Sequence, residues 1–226
     1  MTTGAAVHRR DHRSVLAAAE KRLLIAIAHR LPRAVHSDHL SLLALASMLL
    51  AAGGFAVMRA TPWGAAVVVV GLALNWFGDS LDGTVARVRG HERPRFGYYV
   101  DHVIDLAGTA ALLGGLAASS LMSPLLAMAV LAAYLLVAAE AFLATHASGV
   151  FRMSWLGFGP TELRILLAGG AVYAAVHPAV LVPVFGPMHP FDVGAACALP
   201  GLAAAFISAS VQQTRALYLQ EPRPTV

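Results

Sequence analysis

Residues 64–87 read GAAVVVVGLALNWFGDSLDGTVAR. An apolar run that starts after Pro62 and Trp63 and continues to about Gly83 is as long as a bilayer-crossing helix, which needs about 20 such residues. This run ends in acids, Asp79 and Asp82, with Gly83, Ala86 and Arg87 close behind. Carboxylates at the edge of hydrocarbon are costly, and where they occur they mark a site by default. The stretch therefore predicts a membrane helix whose end carries chemistry.

The whole chain agrees with that reading. Of its 226 residues 58% are hydrophobic and 12% are charged, and mean hydropathy is +0.68. Soluble domains are about 45–50% apolar and about 25% charged. A disordered chain and an ordinary soluble globule are thereby excluded, and one compact integral membrane domain fits the length. Cys197 stands alone, which excludes an intrachain disulfide and a Cys-based zinc site. The basic pI near 9.7 reads as membrane topology rather than nucleic-acid binding, because cytoplasmic loops collect Lys and Arg.

Six apolar stretches predict six spans: Leu40 to Met58, Gly64 to about Gly83, Tyr98 to Ala118, Leu121 to Thr145, Glu162 to about Val176, and about Val193 to Val211. Ser37 or Asp38 is a candidate cap for the first. Before them, Met1–Arg13 is a polar, basic tail without a signal-peptide pattern. Ser14–Arg33 reads as an amphipathic helix with Leu16, Leu23, Ile27 and Leu31 on one side, suited to the membrane interface. The expected fold is an all-α integral membrane protein of six transmembrane helices preceded by this interfacial helix. Residues 1–36 would form the cytosolic tail and interfacial helix, and 37–226 the membrane domain.

Charge placement tests the count. With six spans, both termini share one side with the second and fourth loops. That side holds Arg9, Arg10, Arg13, Lys21, Arg22, Arg30, Arg33, Arg87, Arg89, Arg93, Arg95, Arg152, Arg164, Arg215 and Arg223, leaving only Arg59 of the 16 basic residues opposite. The asymmetry predicts cytoplasmic termini. The outer connections are the short Met58–Trp63 and the Pro-rich His177–Pro190, whose prolines Pro178, Pro183, Pro187 and Pro190 predict turns.

The second and third spans meet at the cytoplasmic side. Asp79 and Asp82 are i and i+3 on one helix, and Asp101 and Asp105 are i and i+4 on the next, so each pair projects from one face. Four acids at this depth need compensation, and all-oxygen ligation selects hard divalent cations, Mg²⁺ or Mn²⁺. Four carboxylates suit two ions, a geometry that clamps a phosphoryl group. Gly83 and Gly97 let a large ligand approach the backbone, and Arg87 offers a fork for phosphate oxygens. The plainer reading is a helix pair joined by salt bridges to Arg87, Arg89, Arg93 and Arg95.

The pattern D-x2-D-G-x2-A-R followed by G-x3-D-x3-D resembles the signature of the CDP-alcohol phosphotransferases (CDP-alcohol phosphatidyltransferases). Asp79, Asp82, Gly83, Ala86, Arg87, Gly97, Asp101 and Asp105 each match a signature position. The resemblance implies transfer of a substituted phosphate from a CDP-linked donor to an alcohol hydroxyl, with release of CMP, in phospholipid synthesis. It implies Asp79, Asp82 and Asp101 as metal ligands and Asp105 as general base and metal ligand. Gly83, Ala86, Arg87 and Gly97 would form the CDP pocket. It also implies a homodimer, in a bacterial inner membrane, with the active site cytoplasmic. Donor and acceptor stay open between CDP-diacylglycerol with a polar alcohol and a CDP-aminoalcohol with diacylglycerol.

Other residues carry two readings each. Asn75, four residues before Asp79, lines the nucleotide pocket or makes a helix–helix hydrogen bond. Glu162, in the string Phe158-Gly159-Pro160-Thr161-Glu162-Leu163-Arg164, binds a headgroup or hydroxyl or caps its helix. Glu140 and His146 line an acceptor cavity or are structural. The small-residue strip Gly108, Ala111, Gly114, Gly115 and Ala118 packs within the chain or at a dimer face. Two rivals remain: a cation-binding transporter that uses the aspartates, and a membrane prenyltransferase, which carries its acid pairs on more helices.

Overall fold

The computed structural model describes residues 17–148, 160–177, 180–182 and 186–221. The helices are α1 (Ala17–Arg30), α2 (Ser37–Val57), α3 (Gly64–Val88), α4 (Pro94–Ala118), α5 (Pro124–Ser148), α6 (Pro160–Val176) and α7 (Pro190–Gln220), with strands β1 (Val180–Val182) and β2 (Gly186–Met188) before α7. The tail Met1–Arg13, the expected helix start at Ser14–Leu16, and Arg152, Phe158, Gly159, Pro178, Pro183 and Arg223 lie outside the described residues. Helices α2, α3, α4, α5 and α7 are long and apolar enough to cross a membrane. Helix α6 has 17 residues, about 25 Å of rise, at the short end of the range that crosses. The protein is an all-α membrane protein of six spans with α1 at the interface.

The helix ends differ from the sequence expectation for identifiable reasons. Helix α3 continues past Gly83 to Val88, then closes in a Schellman motif. The His91 N–H donates to the Ala86 carbonyl at 2.9 Å and the Gly90 N–H to the Arg87 carbonyl at 3.2 Å. Gly90 supplies the required left-handed residue at φ 68°. Helix α4 then starts at Pro94 rather than Tyr98, and α7 at Pro190 rather than Val193, since proline fits the first helical turn. Ser37 and Asp38 are the first residues of α2 rather than its cap. His36 precedes the helix, and its N–H donates to His39 Nδ1 at 3.2 Å. The Pro-rich outer connection contains a two-stranded antiparallel hairpin, with Val180 opposite Met188 and Val182 opposite Gly186, where only turns were expected.

Helix α2 is the shared partner of α3 and α4. Helix α6 packs on α3, α5 on α4, and α7 on α5 and α6, which closes the spans into a ring. One core cluster, around Phe55, Val68, Leu72, Leu112 and Leu116, joins α2, α3 and α4. A second, built from Leu24, Ala28, Leu40, Leu81 and Val85, seats α1 on the C-terminal end of α3. The face α1 turns inward therefore centres on Leu24 and Ala28, with Leu23 51% exposed. Arg89, just past α3, donates to the carbonyls of Val35 at 2.5 Å, Leu31 at 3.0 Å and Pro32 at 3.1 Å. It thereby gives a donor to the carbonyls of Leu31 and Val35 just past α1, and a second one to that of Pro32, which also accepts from the Val35 N–H.

Glycines set how close α2 and α3 come. Gly64, Gly71 and Gly78 recur every seven residues along α3 and each abuts the α2 backbone. A Cβ at Gly78 would lie 2.6 Å from the Leu40 carbonyl oxygen and 2.8 Å from the Ala44 nitrogen. Gly78→Ala must push α2 away, and we expect it to cost about 1–3 kcal/mol of stability, the usual penalty of overpacking. Thermal melts should show the loss, with Gly53→Ala, which meets open space, as the neutral control. A wild-type melt for Gly78→Ala would contradict the close approach. In the α4 strip, Gly108 faces Met48 and Gly115 faces Ala52, both on α2, while Gly114 meets nothing. That strip packs within the chain at two of its positions.

Candidate metal centre and nucleotide site

The α3–α4 turn is five residues long and reverses the chain, so the two acidic pairs come to one level. Helices α3 and α4 touch each other sparsely because α2 lies against both, and the acids face across the opening. Carboxylate oxygens of Asp79, Asp101 and Asp105 lie within 4.8 Å of one another, all partly buried. Ligands of one Mg²⁺ or Mn²⁺ at about 2.1 Å span at most about 4.2 Å. A shift of a few tenths of an ångström would bring these three onto one ion, so the donor set fits a hard divalent cation.

Asp82 sits apart from that trio. Its Oδ2 accepts from the Ser41 hydroxyl of α2 at 2.6 Å, and its Oδ1 accepts from the Gly83 N–H at 2.5 Å. The structure thus gathers three of the four expected ligands and fixes the fourth from α2. Asp79 has a partner on α6, since Arg164 Nη2 donates to its Oδ2 at 2.5 Å. Arg164 Nε also donates to Asn75 Oδ1 at 2.7 Å, while Asn75 Nδ2 donates to the Ala44 carbonyl at 3.0 Å. Asn75 is buried with both amide ends engaged between helices, the second of its two readings. On α5, Tyr134 lies near Thr109 and Asp105.

The expected nucleotide residues line the rim at the α3–α4 end of the bundle. The Arg87 guanidinium lies over Gly83 and donates to the Thr84 hydroxyl at 3.2 Å. Gly97 is exposed in the first turn of α4, with open space where a Cβ would stand. Ala86 lines a cleft of about 370 Å³ with His36, Asp38, Arg89, His91 and Arg93. A second cleft of about 250 Å³, lined by Asp38, Ser41, Leu42, Phe96, Val100 and Ile104, adjoins it at Asp38. Arg93 pairs with Asp38 and lies 4.1 Å over the Phe96 ring. Glu162 is half-buried in the first turn of α6, Glu140 is half-buried on α5, and His146 is exposed at its end.

The model of the family described as CDP-alcohol phosphatidyltransferase matches residues 37–207. The chain belongs to that family. It is a CDP-alcohol phosphotransferase of phospholipid biosynthesis, transferring a substituted phosphate from a CDP-linked donor to an alcohol hydroxyl with release of CMP. The transporter and prenyltransferase readings give way. Two solved structures of Mycobacterium tuberculosis phosphatidylinositol phosphate synthase (PgsA1) share the fold of this transferase. The one with CDP-DAG bound is 21% identical, covers 91% of this chain and 100% of its own, and superposes with a TM-score of 0.60. The one with manganese and citrate is 23% identical, covers 86% of this chain and 88% of its own, and has a TM-score of 0.59. No curated protein matches the chain in sequence. Family and acidic cluster together make this a divalent-metal enzyme.

Reading the residues alone missed Ser41 and the Arg164 contact. Arg164 was counted as a loop cation, although it stands two residues inside the run from Glu162. A cation there needs an acid or amide partner, and Asn75 and Asp79, i and i+4 on α3, offer both.

Proposed function

We propose that the donor is CDP-diacylglycerol and the acceptor a small polar alcohol, joined at a cytoplasmic site in a bacterial inner membrane. The observation that carries this is the pair of adjoining clefts. The one beside Ala86 is lined by charged and imidazole side chains, and its neighbour by Leu42, Phe96, Val100 and Ile104. A polar nucleotide head joined to an acyl tail matches that sequence of surfaces, and a CDP-aminoalcohol has no tail to place. The CDP-DAG bound in the similar synthase supports the same choice. Asp79, Asp82, Asp101 and Asp105 would hold two Mg²⁺ or Mn²⁺ ions, and Gly83, Ala86, Arg87 and Gly97 the cytidine diphosphate. We further propose a homodimer, with residues 1–36 as tail and interfacial helix and 37–226 as the catalytic membrane domain.

In this mechanism Asp79, Asp82, Asp101 and Asp105 would hold the divalent metal, which would supply neutralisation of the diphosphate and of the charge developing as its bridging bond breaks. Asp105 accepts the acceptor hydroxyl proton as that oxygen bonds to the phosphorus carrying diacylglycerol. The bond from that phosphorus to the bridging oxygen breaks, and its electron pair leaves with CMP. Asp79 and Asp101 face Asp105 and fix the reacting centre, while Arg87 steadies the departing phosphate.

The test is CMP release by purified protein from CDP-diacylglycerol, CDP-choline and CDP-ethanolamine. Each is run with serine, glycerol, inositol, their phosphates, or diacylglycerol. CMP from CDP-diacylglycerol with a polar acceptor is expected. CMP only from a CDP-aminoalcohol with diacylglycerol would reverse the assignment. Running Glu162→Gln beside the wild type places Glu162. A changed acceptor preference marks a headgroup contact, and an unchanged panel with a loss of about 0.5–2 kcal/mol marks a cap.

A further inference from the structure

Helix α6 is tied to α3 by two polar rungs, one helical turn apart along α6. The inner rung is Arg164, which donates to Asn75 at 2.7 Å and to Asp79 at 2.5 Å. The outer rung comes from a third helix. Glu20 of α1 accepts at a single oxygen, Oε1, from Trp76 Nε1 of α3 at 2.6 Å and from the Thr161 hydroxyl of α6 at 3.0 Å. Trp76 precedes Asp79 by three residues on α3, and Thr161 precedes Arg164 by three on α6, so the rungs use one side of each helix.

Two rungs fix what one cannot. A single long arginine leaves its helix free to rotate, because the side chain can change rotamer to follow. With Thr161 pinned at the helix start, the rotation of α6 is set. The guanidinium is then delivered to Asp79 Oδ2, which holds the carboxylate whose ligand oxygen lies within 4.8 Å of those of Asp101 and Asp105. Hydrogen bonds from outside a metal's ligand sphere orient the ligands, and losing one typically costs about 10–100-fold in metal affinity.

We propose that Glu20, on the interfacial helix, is a positioning residue for the metal ligand Asp79, acting through Thr161 and Arg164. The proposal rests on the reading of Asp79 as a ligand. Glu20 touches neither metal nor substrate. Its role differs from simply fastening α1, because Thr161 lies on α6 and takes no part in seating α1 through Leu24 and Ala28.

The experiment measures Mn²⁺ binding to the purified protein by electron paramagnetic resonance, without donor or acceptor, for Glu20→Leu, Glu20→Gln, Thr161→Val, Asp79→Asn and Arg164→Gln. Size-exclusion profiles and thermal melts select folded variants, and the near-isosteric Thr161→Val keeps the test open if Glu20→Leu fails to fold. Expected is a Mn²⁺ dissociation constant raised about tenfold in Glu20→Leu and Thr161→Val. In turnover assays the metal requirement should rise by the same factor, with kcat at saturating Mn²⁺ within about twofold of wild type. Glu20→Gln should restore wild-type binding, because its amide oxygen can take both donors. In the Arg164→Gln background, Glu20→Leu should add no further loss. Wild-type affinity in Thr161→Val and Glu20→Leu, while Asp79→Asn loses binding, would overturn the positioning role alone. An equal Glu20→Leu loss in the Arg164→Gln background would overturn it too. Wild-type affinity in Asp79→Asn would sink the ligand assignment beneath it.

Discussion

Removing divalent metal should abolish CMP release, and Mg²⁺ or Mn²⁺ should restore it. Oxygens of Asp79, Asp101 and Asp105 converge within 4.8 Å, so without a cation three carboxylates repel one another and the donor diphosphate as well. Arg164 pairs with Asp79 and His102 lies 3.9 Å from Asp101, and one guanidinium beside a histidine cannot balance three carboxylates and a diphosphate together. The measurement is turnover after dialysis against chelator, then after addition of each ion. Ca²⁺ should fail to restore turnover, because its longer bonds and looser geometry would not hold the reacting atoms in line. Full activity in chelator would remove the metal from the mechanism.

Asp105→Asn should lower turnover by about 10²–10⁴-fold, the range associated with general acid–base catalysis. The amide keeps the shape of the side chain and cannot take the acceptor proton. Asp79 and Asp101 still converge in that variant, so the CDP-linked donor should bind with nearly wild-type affinity. Single-turnover assays beside equilibrium binding of the donor separate the two effects. Loss of donor binding with normal chemistry on the bound fraction would instead make Asp105 part of the pocket.

The spans and the acidic pairs were readable in the chain because both depend on local spacing. Apolar runs long enough to cross and two acid pairs at i+3 and i+4 both follow from short-range order. The helix ends were less readable. Pro94 and Pro190 begin helices that an apolar count starts later, since proline and polar residues at the membrane surface still allow helix. Residues that meet across the bundle were not readable. Arg164 and Asp79 are 85 positions apart, Glu20 and Thr161 are 141 apart, and no periodicity joins them. Ser41 stands second in the apolar run that begins at Leu40, where nothing local marks it. Its hydrogen bond to Asp82 depends on how closely α2 and α3 approach, and Gly71 and Gly78 set that distance through packing.

Arg89 carries a consequence for how the chain is made. The three carbonyls it satisfies belong to Leu31, Pro32 and Val35, and the arginine lies 57 positions beyond Pro32. During synthesis the Pro32 carbonyl can accept from the nearby Val35 N–H, but those of Leu31 and Val35 wait for Arg89 until the α2–α3 hairpin has left the ribosome and entered the bilayer. Until then α1 is held at the membrane surface by its own apolar side chains, with water on its last carbonyls. Docking of the first helix is therefore a late event that reports a correctly inserted hairpin. A hairpin inserted with the opposite orientation would leave Arg89 across the membrane from its partners, and α1 without its anchor.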